Sequence, residues 1–211
     1  MPLDRMLLWP ALVLSLVLPP AALAAPPHCQ FASHEEVQGW PAAERLGWLG
    51  DELVQCTDRQ IQALSYYGRG KAYIDLGEFE AAVADLTQSI ALNPENVYYD
   101  YAARAFAYLQ LNQQEEAVAD ATAALESEPF LAQAYNTRGV AQCNLHHVQD
   151  GVLDILTAIE LERDYATAWQ QFLRKGGYYD GAIGGGFNAA AKAAVGDWCK
   201  AHRIAPGPIF N

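Results

Sequence analysis

The feature that most constrains this chain is a block of residues that recurs three times at nearly constant spacing. Each block opens with an arginine, and the three arginines are Arg69, Arg104 and Arg138. Each arginine is followed by a leucine, a short turn, a small residue with a valine after it, and an aspartate. A period of about 34 residues predicts a hairpin of two helices that stacks on its copies, because one amphipathic hairpin cannot bury its own apolar face.

Small residues and prolines fall at matching places in the copies. Gly70 and Ala82 lie where the paired helices would touch, and Pro94 and Pro129 close the first two copies. This pattern resembles the tetratricopeptide repeat, a helix-turn-helix unit with a period of about 34 residues. The resemblance covers about 63–165 and implies an all-α fold: an α-solenoid of about three hairpins (63–97, 98–131 and 132–165) behind an N-terminal arm and helical cap (25–62).

The resemblance also implies where a partner binds. Members of this family usually bind an extended peptide or a helix along the inward faces of the first helices. In this sequence the groove residues would be Tyr67, Lys71, Ile74, Tyr99, Phe106, Leu109, Gln110, Gln133, Asn136, Val140 and Asn144. Few of them are cationic, which disfavours a ligand held by its C-terminal carboxylate. An alternative role for the aromatic residues is packing against neighbouring helices.

An arginine and an aspartate at a fixed separation also recur in every copy. The pairs are Arg69 with Asp85, Arg104 with Asp120, and Arg138 with Asp154. Because the same pair recurs in each unit, we interpret it as a bidentate ion pair that fixes the two helices, and not as a ligand site.

The first 24 residues have the layout of a secretory signal peptide. A short head with Arg5 precedes an apolar run, and Ala22-Leu23-Ala24 offers a cleavage site after Ala24. The chain is therefore expected to be periplasmic or secreted in a bacterium, with no stable membrane insertion after cleavage.

Export would place the four cysteines in an oxidising compartment. Four cysteines allow three pairings, and the sequence does not choose among them. We favour a disulfide between Cys29 and Cys56. Cys143 and Cys199 are then either buried thiols or a second bridge.

The glycine-rich tail, 166–211, differs from the repeats. Its order of residues resembles the small bacterial peptidoglycan-binding-like domain, although Gly184 and Ala191 replace polar residues of that pattern. The resemblance implies glycan contacts by Tyr178, Tyr179, Asp180 and Trp198. The alternative is that these residues only form the core of a C-terminal cap.

Charge and motifs restrict the remaining classes of function. The formal net charge of −12 makes nucleic acid an unfavourable partner. We find no catalytic motif, no metal-ligand spacing and no sign of a cofactor. The sequence thus predicts a non-catalytic adaptor for a protein or peptide. The alternative is a wall-associated protein whose tail binds peptidoglycan.

Overall fold

The computed structural model describes residues 37, 39–93, 97–184 and 186–201, and in these residues it is all-helical without strands. The predicted signal peptide (1–24) and Cys29 lie outside the described residues, so the leader, its cleavage and the pairing of Cys29 with Cys56 stay predictions. The helices are α1 (Ala42–Gln55), α2 (Arg59–Leu76), α3 (Phe79–Leu92), α4 (Tyr98–Gln110), α5 (Gln114–Ser127), α6 (Ala132–Asn144), α7 (Val148–Leu161), α8 (Arg163–Lys175) and α9 (Ala189–Ala201).

Local sequence explains where the first helix of each hairpin begins or ends. Asp58 caps α2, since its Oδ1 accepts hydrogen bonds from the amides of Gln60 and Ile61 at 2.9 and 3.0 Å. The turns after α2, α4 and α6 each contain one residue of positive φ, namely Gly77, Asn112 and His146. These are residue types that adopt the left-handed region most readily, and their spacing follows the repeat.

The three hairpins are α2 with α3, α4 with α5, and α6 with α7, and each packs against the next along the chain. In the third hairpin the helices approach most closely at two glycines. A Cβ atom on Gly139 would lie 2.8 Å from the carbonyl oxygen of Gly151, closer than such contacts allow. The small residues of the repeat therefore set the distance between paired helices.

Helix α1 packs against α2 ahead of the first hairpin. Its side chains Trp48 and Leu49 are buried with Val37. Glu52 is also buried, and its carboxylate accepts a hydrogen bond of 2.7 Å from the Ser65 hydroxyl of α2.

The C-terminal helices share one core with the third hairpin. Helix α9 packs against α6, α7 and α8. Trp198 is fully buried, with its ring centroid 5.2 Å from that of Trp169 and 5.7 Å from that of Phe172. A disulfide joins Cys143 of α6 to Cys199 of α9. The apolar side chains of the tail thus belong to the same cluster as those of α6 and α7.

None of the helices in the described part of the chain has both the length and the apolar character needed to cross a membrane.

Candidate partner-binding site

The recurring arginine–aspartate pairs form bidentate ion pairs, as predicted. Nε and Nη2 of Arg69 donate to the two carboxylate oxygens of Asp85 at 2.6 and 2.8 Å. The same two bonds measure 2.6 and 2.9 Å between Arg104 and Asp120. They measure 2.7 and 2.9 Å in the third pair, Arg138 with Asp154. Each guanidinium also lies 5.5 Å from the centroid of a tyrosine three residues earlier in its helix.

Two of these arginines also connect successive hairpins. Nη1 of Arg104 donates to the Thr87 hydroxyl of the preceding hairpin at 2.9 Å, and Arg138 donates to Thr122 at 3.4 Å. Hydrogen bonds to Asp85 raise the pKa of Arg69, against the opposing effect of burial, so this guanidinium stays charged. The pairs are therefore engaged within the fold.

The predicted groove residues differ in exposure along the chain. In the first hairpin Lys71 is exposed, and Tyr67 and Ile74 are half-buried. In the second, Tyr99 is 50% exposed and Gln110 half-buried, whereas Phe106 and Leu109 are buried. In the third hairpin only Gln133 is half-buried, and the buried side chains are Asn136, Val140 and Asn144.

Contacts within the protein account for the buried positions. The Phe106 ring meets that of Phe79 edge to face at 6.4 Å. The Asn136 Oδ1 accepts a hydrogen bond of 2.8 Å from the Trp169 indole of α8, and Val140 lies in the core shared with α9. For the buried positions these contacts favour the alternative role, packing against neighbouring helices, and α9 packs on the C-terminal part of the array.

The accessible part of the predicted site, here called the N-terminal groove, lies on the contacting helices α2 and α4. It presents two aromatic side chains, one aliphatic chain, one amide and one cation. Its members are Tyr67, Lys71, Ile74, Tyr99 and Gln110.

A buried carboxyl group lies behind this groove. Burial raises the pKa of Asp100, and the hydrogen bond from Ser89 and the charge of Arg104 only partly oppose that effect. Its Oδ1 has no hydrogen-bond partner within the described residues. Burial also raises the pKa of the Tyr67 phenol, and the charge of Asp100 adds to the shift. Sequence reasoning missed Asp100, because nothing in the repeat marks it.

Two of the four residues predicted to contact glycan are buried. Trp198 lies in the core, and Tyr179, 5% exposed, donates its hydroxyl hydrogen bond to the Ala182 carbonyl at 2.9 Å. Tyr178 is half-buried and Asp180 is exposed. This burial favours the alternative interpretation, in which the tail residues form the core of a C-terminal cap.

Sequence reasoning also missed a cavity of about 510 Å³ at the junction of α7, α8, the glycine-rich loop and α9. The only signal for it in the sequence was the run of glycines at 184–186. As for metals, the described residues contain no group of three His, Cys, Asp or Glu side chains that could hold an ion.

The comparison with protein families identifies the repeating unit. Residues 63–96 and 101–130 each match a model described as tetratricopeptide repeat. These segments are tetratricopeptide repeats. The third hairpin, α6 with α7, continues the tetratricopeptide array with the same ion pair. Among curated proteins, no sequence matches the chain.

Solved structures resemble the tetratricopeptide array and its flanking helices. The second tetratricopeptide domain of human RPAP3, solved in complex with the HSP70 peptide SGPTIEEVD, is 26% identical; the match covers 69% of this chain and all of that one, with a TM-score of 0.50. A double mutant of MamA RS-1 is 17% identical over 79% of this chain and 90% of its own, with a TM-score of 0.58. YrrB, described as a tetratricopeptide protein with an unusual peptide-binding site, is 16% identical. The match covers 80% of this chain and 84% of YrrB, with a TM-score of 0.56. The likeness to MamA and YrrB shows the α-solenoid fold.

Proposed function

We propose that this protein is a non-catalytic adaptor that holds an extended segment or a helix of a partner protein in its N-terminal groove. The observation that carries the proposal is the accessible face of α2 and α4, where Tyr99 is 50% exposed beside the half-buried Tyr67 and Ile74. Exposed aromatic and aliphatic side chains grouped on one face are typical of protein-binding surfaces. The peptide complex of the RPAP3 domain, which has 26% identity to this chain, supports a peptide as the occupant.

The charges of the groove indicate a partner unlike the acidic RPAP3 ligand. Lys71 is the cation among the accessible groove residues, and the Asp100 carboxyl lies behind Tyr67. A carboxylate-rich peptide would meet too few cations to offset its desolvation. We therefore propose a partner segment that is apolar or hydroxylated where it meets the two tyrosines.

We further propose that the adaptor acts in the periplasm or outside the cell. The signal-peptide pattern of residues 1–24 supports export. The Cys143–Cys199 disulfide agrees with it, because such bonds persist in oxidising compartments.

The test is selection of binding peptides from a random displayed library on the purified mature chain. Tyr99→Ser should weaken the selected peptides at least about tenfold, since an aromatic anchor often contributes about 2 kcal/mol or more. Phe130→Ser is the matched control, because Phe130 is an aromatic side chain 76% exposed outside the groove. Peptides that bind Tyr99→Ser as tightly as the natural chain would show that the groove is not the site.

Wall attachment through the tail is the competing proposal, and of its four predicted contacts only Tyr178 and Asp180 are accessible. Co-sedimentation of the mature chain with isolated peptidoglycan sacculi tests it. If the chain stays in the supernatant, the tail does not anchor the protein to the wall.

A further inference from the structure

The cavity between α7, α8 and α9 has an apolar floor and one wall held by a buried amide. The apolar side chains that line it include Leu156, Ile159 and Phe187, and these three are here called its floor. Gln170 of α8 is 1% exposed, and its side chain accepts a hydrogen bond from the Gly184 amide at 3.0 Å and donates one to the Gly186 carbonyl at 3.4 Å. Gly184 and Gly186 are therefore held against α8, and the cavity that they line is preformed, which is the usual state of small-molecule pockets.

The rim of the cavity carries charges of both signs. Lys192 Nζ lies 3.9 Å from Glu160 Oε1, and both side chains are largely exposed, so their mutual attraction is weak. Arg163 also lines the cavity and has no ion-pair partner within the described residues. Two cations and one anion thus meet over an apolar floor.

The first turn of α8 adds positive potential to this rim. Arg163 opens the helix, and Ala166 and Thr167 of the same end line the cavity. Glu162, at the N-cap, makes no side-chain hydrogen bond to the first-turn amides. The partial positive charge of the helix end therefore lies beside Arg163, and the carboxylates of Glu162 and Asp164, which flank this arginine in sequence, oppose part of it.

We propose that this cavity binds a free α-amino acid with a large apolar side chain. Its carboxylate would pair with Arg163 and Lys192, its ammonium with Glu160, and its side chain would lie on the apolar floor. The close spacing of Lys192 and Glu160 matches a ligand whose ammonium and carboxylate groups are bonded to the same carbon. A simple anion would lie beside the Glu160 carboxylate, and an apolar ligand would contact none of the three charged groups through a charge of its own. The site is separate from the N-terminal groove and does not depend on its function.

The test is a titration of the ¹⁵N-labelled full chain with L-leucine, followed by NMR at the amides of Gly184, Gly186 and Thr167. We expect saturable shifts at these amides. Arg163→Gln and Glu160→Gln should each weaken binding about tenfold or more, because each removes a charge-assisted contact. Lys175→Gln is the matched control: it removes an exposed cation at the other end of α8, and it should leave the affinity unchanged.

Ligand analogues and a cavity-filling variant complete the test. N-Acetyl-leucine lacks the ammonium and leucinamide lacks the carboxylate, so each should bind about tenfold more weakly or worse. Gly186→Leu should abolish the shift at Thr167, since Gly186 lines the cavity and a leucine there would compete with the ligand for that space. The proposal is overturned if neither leucine nor phenylalanine gives a saturable shift, if N-acetyl-leucine binds as tightly as leucine, or if Gly186→Leu binds leucine normally.

Discussion

Three aspartates each neutralise an arginine of their own hairpin, and two of these arginines, Arg104 and Arg138, also reach the preceding hairpin. Asp120 is representative: its side chain is 11% exposed and holds both Nε and Nη2 of Arg104. Removing one partner of a largely buried pair leaves the other charge without compensation, which costs more than the pair itself contributes.

Asp120→Ala should lower the free energy of unfolding by about 3 kcal/mol, measured by urea denaturation. The matched control is Asp197→Ala, because Asp197 pairs with Lys200 at 3.4 Å on the surface, where the two side chains are 67% and 68% exposed. Asp197→Ala should lower the free energy of unfolding by at most about 0.5 kcal/mol. Equal losses in the two variants would contradict the bracing role.

Asp100 gives a prediction of opposite sign. Burial raises its pKa above the ordinary value of 3.8, so the folded protein binds this proton more tightly than the unfolded chain does. The group therefore stabilises the fold fully only below its unfolded pKa, and that contribution is lost as the pH rises through the raised, folded-state pKa.

Asp100→Asn should thus raise the thermal midpoint relative to the natural chain at neutral pH, and the advantage should vanish below about pH 4. The measurement is the difference in midpoint between the two proteins across this range. A difference that is constant with pH would show that the charge of Asp100 is not the cause.

The residue-scale predictions from sequence succeeded where the cause is local to a repeat. The constant spacing of arginine and aspartate was enough to foresee Arg69 with Asp85, because both residues belong to one hairpin. The burial of Val140 was not foreseeable in the same way. It depends on the return of α9 to α6, which brings Cys199 to Cys143 across a sequence separation of 56.

At the scale of elements, the bounds of the repeat helices follow the sequence pattern, whereas the packing position of α9 is not marked by any such pattern. The signal for it lies in α8, where Trp169 and Phe172 stand one repeat after Tyr135 and Arg138. The tyrosine and arginine of the repeats are replaced there by two apolar aromatic residues, and Trp198 packs on both of their rings. A single sequence shows this substitution but does not say which helix covers it.

The disulfide should stabilise the packing of α9. Cys143 and Cys199 are 56 residues apart, so the bond removes much of the unfolded chain's freedom. Replacing both with alanine should lower the free energy of unfolding by about 4 kcal/mol, measured by urea denaturation. Amide hydrogen exchange should rise more in α9 than in α2, which shares no core cluster with it. An unchanged urea midpoint would contradict this role of the bond.

At the scale of the whole molecule, the repeat period of about 34 residues was sufficient for the all-α solenoid. It was not sufficient for the extent of the groove, because a repeat pattern treats every copy as equivalent. The copies are unequal in the structure: Lys71 of the first hairpin is exposed, while the matching Phe106 and Val140 are buried. Groove length thus depends on what flanks the array.

The links between hairpins also bear on how such a chain could evolve. Each junction needs an arginine in the later hairpin to reach a threonine in the earlier one, as Arg104 reaches Thr87 and Arg138 reaches Thr122. At the next junction Phe172 stands where that arginine would be, beneath Trp198. A duplicated unit inserted between two existing hairpins would find both of its junctions ready. One added after the third hairpin would find a matching threonine, Thr157, but it would have to displace α8 and α9, where Phe172 packs against Trp198.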